Sequence, residues 1–186
     1  MDARLPLRHA LLALAVVAVW GTNFVVIKIA LAKLPPLLLA ALRFLFAALP
    51  AALVLRRPPV AWSNLAGYGL AIGVGQFGLL FLAMRSQISP GLASLVIQVQ
   101  VFFTIGLALL WMRERMRPLQ WAALATAAGG LALIGALGGG DATPAGLAIV
   151  LAAALSWAIG NLLVKRAGRV AMLASVVWSS LFAVPP

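Results

Sequence analysis

Seven apolar runs follow one another along this chain, near residues 10–31, 36–55, 62–84, 90–111, 118–137, 145–164 and 170–186. A bilayer core of about 30 Å is crossed by about 20 residues of α-helix. Lipid offers no hydrogen bonds to the backbone, so runs of this length become helices. No ten-residue alternation of the kind that marks a barrel appears. The breaks carry helix punctuation: Leu34-Pro35-Pro36, Arg57-Pro58-Pro59, Ser89-Pro90-Gly91, Arg117-Pro118 and the glycine-rich stretch from Gly138 to Pro144. Composition leaves no soluble alternative, because 65% of the residues are hydrophobic, 9% are charged and the mean hydropathy is +1.12. The expected fold is all-α, a polytopic bundle of transmembrane helices.

The net charge of +11 comes from 14 Lys and Arg against 3 Asp and Glu. In a soluble protein that balance would suggest a nucleic-acid partner, but here the cations sit between apolar runs. Ten of them fall in connections on one side: Arg4 and Arg8, Arg56 and Arg57, the three arginines from Arg113 to Arg117, and Lys165, Arg166 and Arg169. Lys28, Lys33 and Arg85 fall on the other. The asymmetry places the N-terminus in the cytoplasm and gives lipid, not nucleic acid, as the charged partner. No small-x-small cleavage site follows the first run, which reads as an uncleaved span and not a signal peptide. Cysteine is absent, which removes disulfides, thiol nucleophiles and Cys-ligated metals.

The chain also echoes itself. "AVVAVWGTNFVVIK" (15–28) matches "AAALSWAIGNLLVK" (152–165), setting Trp20, Gly21, Asn23 and Lys28 beside Trp157, Gly160, Asn161 and Lys165. The runs that follow match as well, "LLLAALRFLFAALP" (37–50) with "MLASVVWSSLFAVP" (172–185). A repeat unit of five helices is odd, so the second copy enters the membrane from the opposite face. Inverted repeats of this kind are common in secondary transporters, whose site lies near the midplane. The units are residues 1–140, holding five helices, and 141–186, holding about two. The second unit is thus expected to be incomplete, the chain being either a fragment of a protein of about ten spans by doubling of the repeat or one that works with a second chain.

At "WGTNFVVIK", "LRF", "GLASLVIQVQVFFT" and "RERM" the sequence resembles the EamA family of the drug/metabolite transporter superfamily, and among its members the exporters of cysteine and O-acetylserine. The resemblance runs from the first span through "LSWAIGNLLVKRAG" to "VVWSSLFAVPP". It implies ten helices as two inverted five-helix repeats, residence in the bacterial inner membrane, and export of small amino-acid metabolites by alternating access. The other expectation is a structural or regulatory membrane subunit, or an inactive truncated paralogue, that needs a partner chain.

Polar residues inside the spans supply the candidate site. Arg43 lies about 10 Å along its helix from Pro36, where an unpaired guanidinium needs a wet cavity or a partner, and where its fork could hold a carboxylate. Lys28 either snorkels to the boundary or contacts substrate. Gln98 and Gln100 are about 200° apart on a helix, so one is expected to line a cavity and the other to tie helices together. Arg43, Lys28, Gln76, Gln98, Asn23, Trp20, Asn161 and Trp157 form the substrate-binding set. No catalytic, cofactor or metal residues are assigned. The only acids are Asp2, Glu114 and Asp141, and the only histidine is His9, all outside the spans. An enzyme would need a base beside a nucleophile, which this distribution does not provide.

Overall fold

The computed structural model describes residues 6–112, 116–137, 142–168 and 171–184. Seven helical segments occupy them: α1 Leu7–Leu31, α2 Pro36–Ala52, α3 Trp62–Ser86, α4 Pro90–Met112, α5 Pro118–Leu137, α6 Pro144–Ala167 and α7 Met172–Ala183. Their ends fall within three residues of the runs read from the sequence. Four of them (α1, α3, α4 and α6) are long and apolar enough to cross a membrane. Pro36, Pro90, Pro118 and Pro144 each open a helix, where the missing N–H costs nothing. Ser89 and Thr143 cap α4 and α6, their hydroxyls accepting from Leu92 N at 3.3 Å and Gly146 N at 2.9 Å.

The direction of each helix follows from what its ends touch. Lys28, near the end of α1, reaches Met84 and Arg85 at the end of α3. The next residues, Gln87 and Ile88, are clasped by the segment entering α6: Thr143 N donates to Gln87 O at 2.8 Å, and Ile88 pairs with Ala142 in a single antiparallel bridge. The end of α1 and the start of α6 therefore share one end of the bundle. At the other end Asn64, near the start of α3, donates to Leu163 O near the end of α6 at 3.2 Å. Trp178 of α7 donates to Leu55 O just beyond α2 at 3.1 Å, while Ala183 and Phe44 both approach Gly73 farther up. So α1 and α6 run antiparallel, as do α2 and α7, which is the relation an inverted repeat requires. The expected boundary between the units, residues 140 and 141, lies outside the described residues, as do Asp2, Arg4, Arg113, Glu114, Arg115, Asp141 and Arg169.

Helix α3 is the centre of the packing. Phe81, Ala83 and Met84 in its last turns are fully buried, with Val150, Ala153 and Ala154 of α6 in the same core. Its middle, Leu70–Gly78, is wound as a π-helix, a rare form that recurs at functional sites. Glycines make this segment thin. A Cβ at Gly69 would collide with Ser179 O, one at Gly73 with Ala183, and one at Gly75 with the Ser156 hydroxyl. That hydroxyl donates to Ala71 O at 2.9 Å, so it supplies a partner from α6 inside the irregular turn. Small residues at helix contacts are how membrane helices gain van der Waals energy, since lipid removes the hydrophobic drive.

Adding one carbon tests this seam. Gly69→Ala and Gly73→Ala are expected to lose about 1–3 kcal/mol to overpacking. Gly21→Ala and Gly106→Ala meet nothing within 4 Å and should be neutral or stabilising by a few tenths up to about 1 kcal/mol. Thermal unfolding of the four variants in detergent micelles separates the two groups.

Candidate functional site

Between α1, α2, α3 and α6 lies a cavity of about 390 Å³. Its polar lining comes from four helices: Trp20 and Asn23 on α1, Arg43 on α2, Tyr68 and Gln76 on α3, and Trp157 on α6. Phe24, Ile72, Phe77 and Leu80 supply apolar wall. The α3 residues recur every four positions, Tyr68, Ile72, Gln76 and Leu80, so they form one stripe of that helix. Across the cavity mouth Trp20 and Trp157 tilt together with ring centroids 6.3 Å apart. They are the matched tryptophans of the sequence repeat, so the two copies meet at this pair.

Arg43 lies on an aromatic platform. Its guanidinium carbon sits 4.2 Å from the Phe77 ring centroid, and Phe77 is held edge-on by Phe44 at 5.6 Å and Phe81 at 5.8 Å. A cation over a ring face gains about 0.5–2 kcal/mol, which orients the side chain without using its N–H groups. Those donors have no carboxylate to meet, because no Asp or Glu occurs in any span. Gln76 is buried, at 5% exposure. Yet no side chain among Gln76, Arg43, Asn23, Tyr68, Trp20 and Trp157 makes a hydrogen bond with another described residue. Among the described residues the buried side-chain atoms without a partner are the hydroxyls of Ser175 and Ser179; the Gln76 amide is not one of them, because it opens onto the cavity, where a guest can bond it. The arrangement offers a cation, two amides, a phenol and two indole N–H groups to a small polar guest.

Of the eight residues expected to bind substrate, the structure brings together Arg43, Gln76, Asn23, Trp20 and Trp157. Three sit elsewhere. The Lys28 ammonium donates to Met84 O at 2.7 Å and Arg85 O at 3.2 Å, capping the end of α3. Neither reading made from the sequence included this tie, because it depends on which helix end lies beside α1. Asn161 donates to Gln100 Oε1 at 3.1 Å and Thr104 Oγ1 at 3.2 Å, joining α6 to α4. Thr104 also donates to Gln100 Oε1 at 3.2 Å. Gln98, on a 3₁₀ turn inside α4, is exposed. Thus Gln100 ties helices, but Gln98 does not reach this cavity. Sequence reasoning missed Tyr68, Ile72 and Phe77. The signal available was the spacing of the sole tyrosine two steps of four residues before Gln76.

A helical bundle of this topology, four of whose described helices are long and apolar enough to cross a membrane, defines the class: a multi-pass membrane protein. The chain belongs to the EamA-like transporter family, whose model matches residues 7–136. It is 47% identical to the "Probable amino-acid metabolite efflux pump" of Salmonella typhimurium and 43% identical to that of Escherichia coli. In both cases the match covers 96% of this chain and 62% of the relative. It is also 32% identical to the "Uncharacterized inner membrane transporter YedA" of Escherichia coli, over 93% of this chain and 60% of that protein. The chain therefore spans somewhat less than two thirds of the length of these relatives. No solved structure matches it.

Lys28→Met keeps the apolar stem and removes the cap. It is expected to destabilise the bundle by about 1.5–3 kcal/mol, the range for hydrogen bonds to a charged group. Urea unfolding in micelles, compared with Lys33→Met, measures the difference.

Proposed function

We propose that this chain forms part of a bacterial inner-membrane exporter of small amino-acid metabolites, of the cysteine and O-acetylserine type, working by alternating access. The single observation that carries the reading is the Arg43 guanidinium, oriented by Phe77 and unpaired, facing the same cavity as the unbonded amides of Gln76 and Asn23. A carboxylate would accept the fork of Arg43 in two parallel bonds. The amide oxygens of Gln76 and Asn23 would accept from the ammonium of the same guest, and Trp20 and Trp157 would close over its side chain. The names of the relatives at 47% and 43% identity support an amino-acid-like cargo. The charge asymmetry between the connections supports a cytoplasmic N-terminus. Residues 1–140 and 141–186 act in this reading as the first repeat and the start of its inverted copy, with the remaining helices supplied by further chain or by a second chain. Lys28 and Asn161 support the walls, and Gln98 has no part in binding.

Calorimetry on the chain in nanodiscs tests the anchor. Cysteine should bind, and cysteamine, which lacks only the carboxylate, should bind at least about tenfold more weakly, equivalent to 1.4 kcal/mol. Arg43→Ala should weaken cysteine by about 10–100-fold and leave cysteamine unchanged, with Arg43→Lys between. Equal binding of the two ligands by the unaltered chain overturns the assignment of Arg43.

A further inference from the structure

At the end of the bundle where α3 begins, a pocket of about 10 Å³ lies between α3, α6 and α7. Leu65 and Val164 give it apolar wall, while Asn64, Tyr68, Ser175 and Ser179 bring polar side chains to it. Space on this scale admits a single water molecule and nothing larger. Tyr68 is shared with the cavity around Arg43, whose other lining residues are different.

Ser175 and Ser179 stand one turn apart on the same face of α7, at 8% and 1% exposure. Their hydroxyls are buried and have no partner among the described residues. A serine inside a helix commonly bonds back to the carbonyl four residues earlier, as Ser180 does with Val176 O at 2.8 Å. Ser175 and Ser179 do not. Nor can α7 easily turn to carry them to solvent, because its backbone is pressed onto α3 at this level, where a Cβ at Gly69 would collide with Ser179 O. A buried hydroxyl without a partner bears its full desolvation cost, and here two of them share one pocket. Asn64 spends its amide nitrogen on Leu163 O at 3.2 Å, which leaves its amide oxygen unbonded among the described residues.

We infer that this pocket is a binding site for one water molecule, which accepts from the Ser175 and Ser179 hydroxyls and donates to the Asn64 amide oxygen. Two donors and one acceptor lie within the range of two to four partners that holds a buried water. The chemistry selects water over a metal cation: no carboxylate occurs in any span to offset a charge, and the chain already carries +11. Asn64 already ties α3 to α6, so the water adds α7 to the same junction and joins three helices from both copies of the repeat. The site stands independently of the transport reading.

Thermal unfolding of the whole chain in neutral detergent tests it, with Ser175→Ala, Ser179→Ala and the double variant. Either substitution alone should lower the melting temperature by about 2–4 °C, and the double variant should fall no further than the lower of the two, because the water leaves with either anchor. Hydroxyls that have no partner at all predict the opposite sign, since alanine then removes a desolvated polar group; an unchanged or raised melting temperature would overturn the proposal. Fully additive losses would overturn it too, by showing that each hydroxyl is bonded separately within its own helix. Replacing sodium by choline should change nothing, and a sodium-dependent rise that is lost in Ser179→Ala would give the pocket to an ion instead. In a crystal structure that resolves waters, a density peak is expected within about 3 Å of both hydroxyls, and an empty pocket would sink the assignment.

Discussion

Everything in this bundle depends on how closely α3 can lie against α6 and α7. Lipid supplies no hydrophobic drive between helices, so association rests on van der Waals contact at short range. Gly69, Gly73 and Gly75 make that range possible, each facing a small group on a neighbour: Ser179 O, Ala183 and the Ser156 hydroxyl. The cost falls on the other side of α3. A helix drawn tightly to two partners cannot meet a third equally well, and α1 touches the core mainly through Phe24, Ile27, Leu31, Lys28 and the Trp20–Trp157 pair. The stripe of α3 that faces α1 and α2, carrying Tyr68 and Gln76, is left lining a cavity. The glycine seam and the candidate site are thus two faces of one helix.

Polar side chains in the spans divide by whether they have partners. Gln100, Thr104 and Asn161 close a ring of hydrogen bonds between α4 and α6, Ser156 satisfies the π-helical turn, and Lys28 caps α3. Such groups fix helix positions, because leaving any of them unmade in a low-dielectric interior is expensive. Arg43, Gln76 and Asn23 have the same chemistry without the partners. Residue type alone does not distinguish the two groups, which is why a census of intramembrane polar residues names candidates but cannot rank them.

That limit marks how much was legible in the sequence. The helices were, since hydropathy and proline punctuation report directly on crossing a bilayer. The antiparallel relation of α1 to α6 was too, because a five-helix period is odd whatever the packing. The meeting of Trp20 with Trp157 could be approached only as an equivalence in the repeat; contact between the two depends on how the copies dock. Gln98 and Gln100 show the harder case. Their spacing proves that they face apart, but nothing local says which face turns inward, and Gln100 is the one that α6 engages. Tyr68 was hidden for a related reason. It sits between Gly67 and Gly69, in a segment whose small residues announce packing and mask the polar stripe beside it.

The repeat also explains why the cavity has one anchor. Lys28 has its counterpart in Lys165 and Trp20 in Trp157, but Arg43 aligns with Trp178. The two residues have opposite fates. Trp178 packs edge-on to Trp62 and gives its indole N–H to Leu55 O, closing the end of the bundle where α2 leaves the membrane. Arg43 keeps its donors unengaged over Phe77. An arginine at 178 would lie beside Trp62 and Leu55 O, not in the cavity around Arg43, so the placement of the two positions leaves that cavity one cation. Within that cavity the lone cation rests on the Phe77 ring.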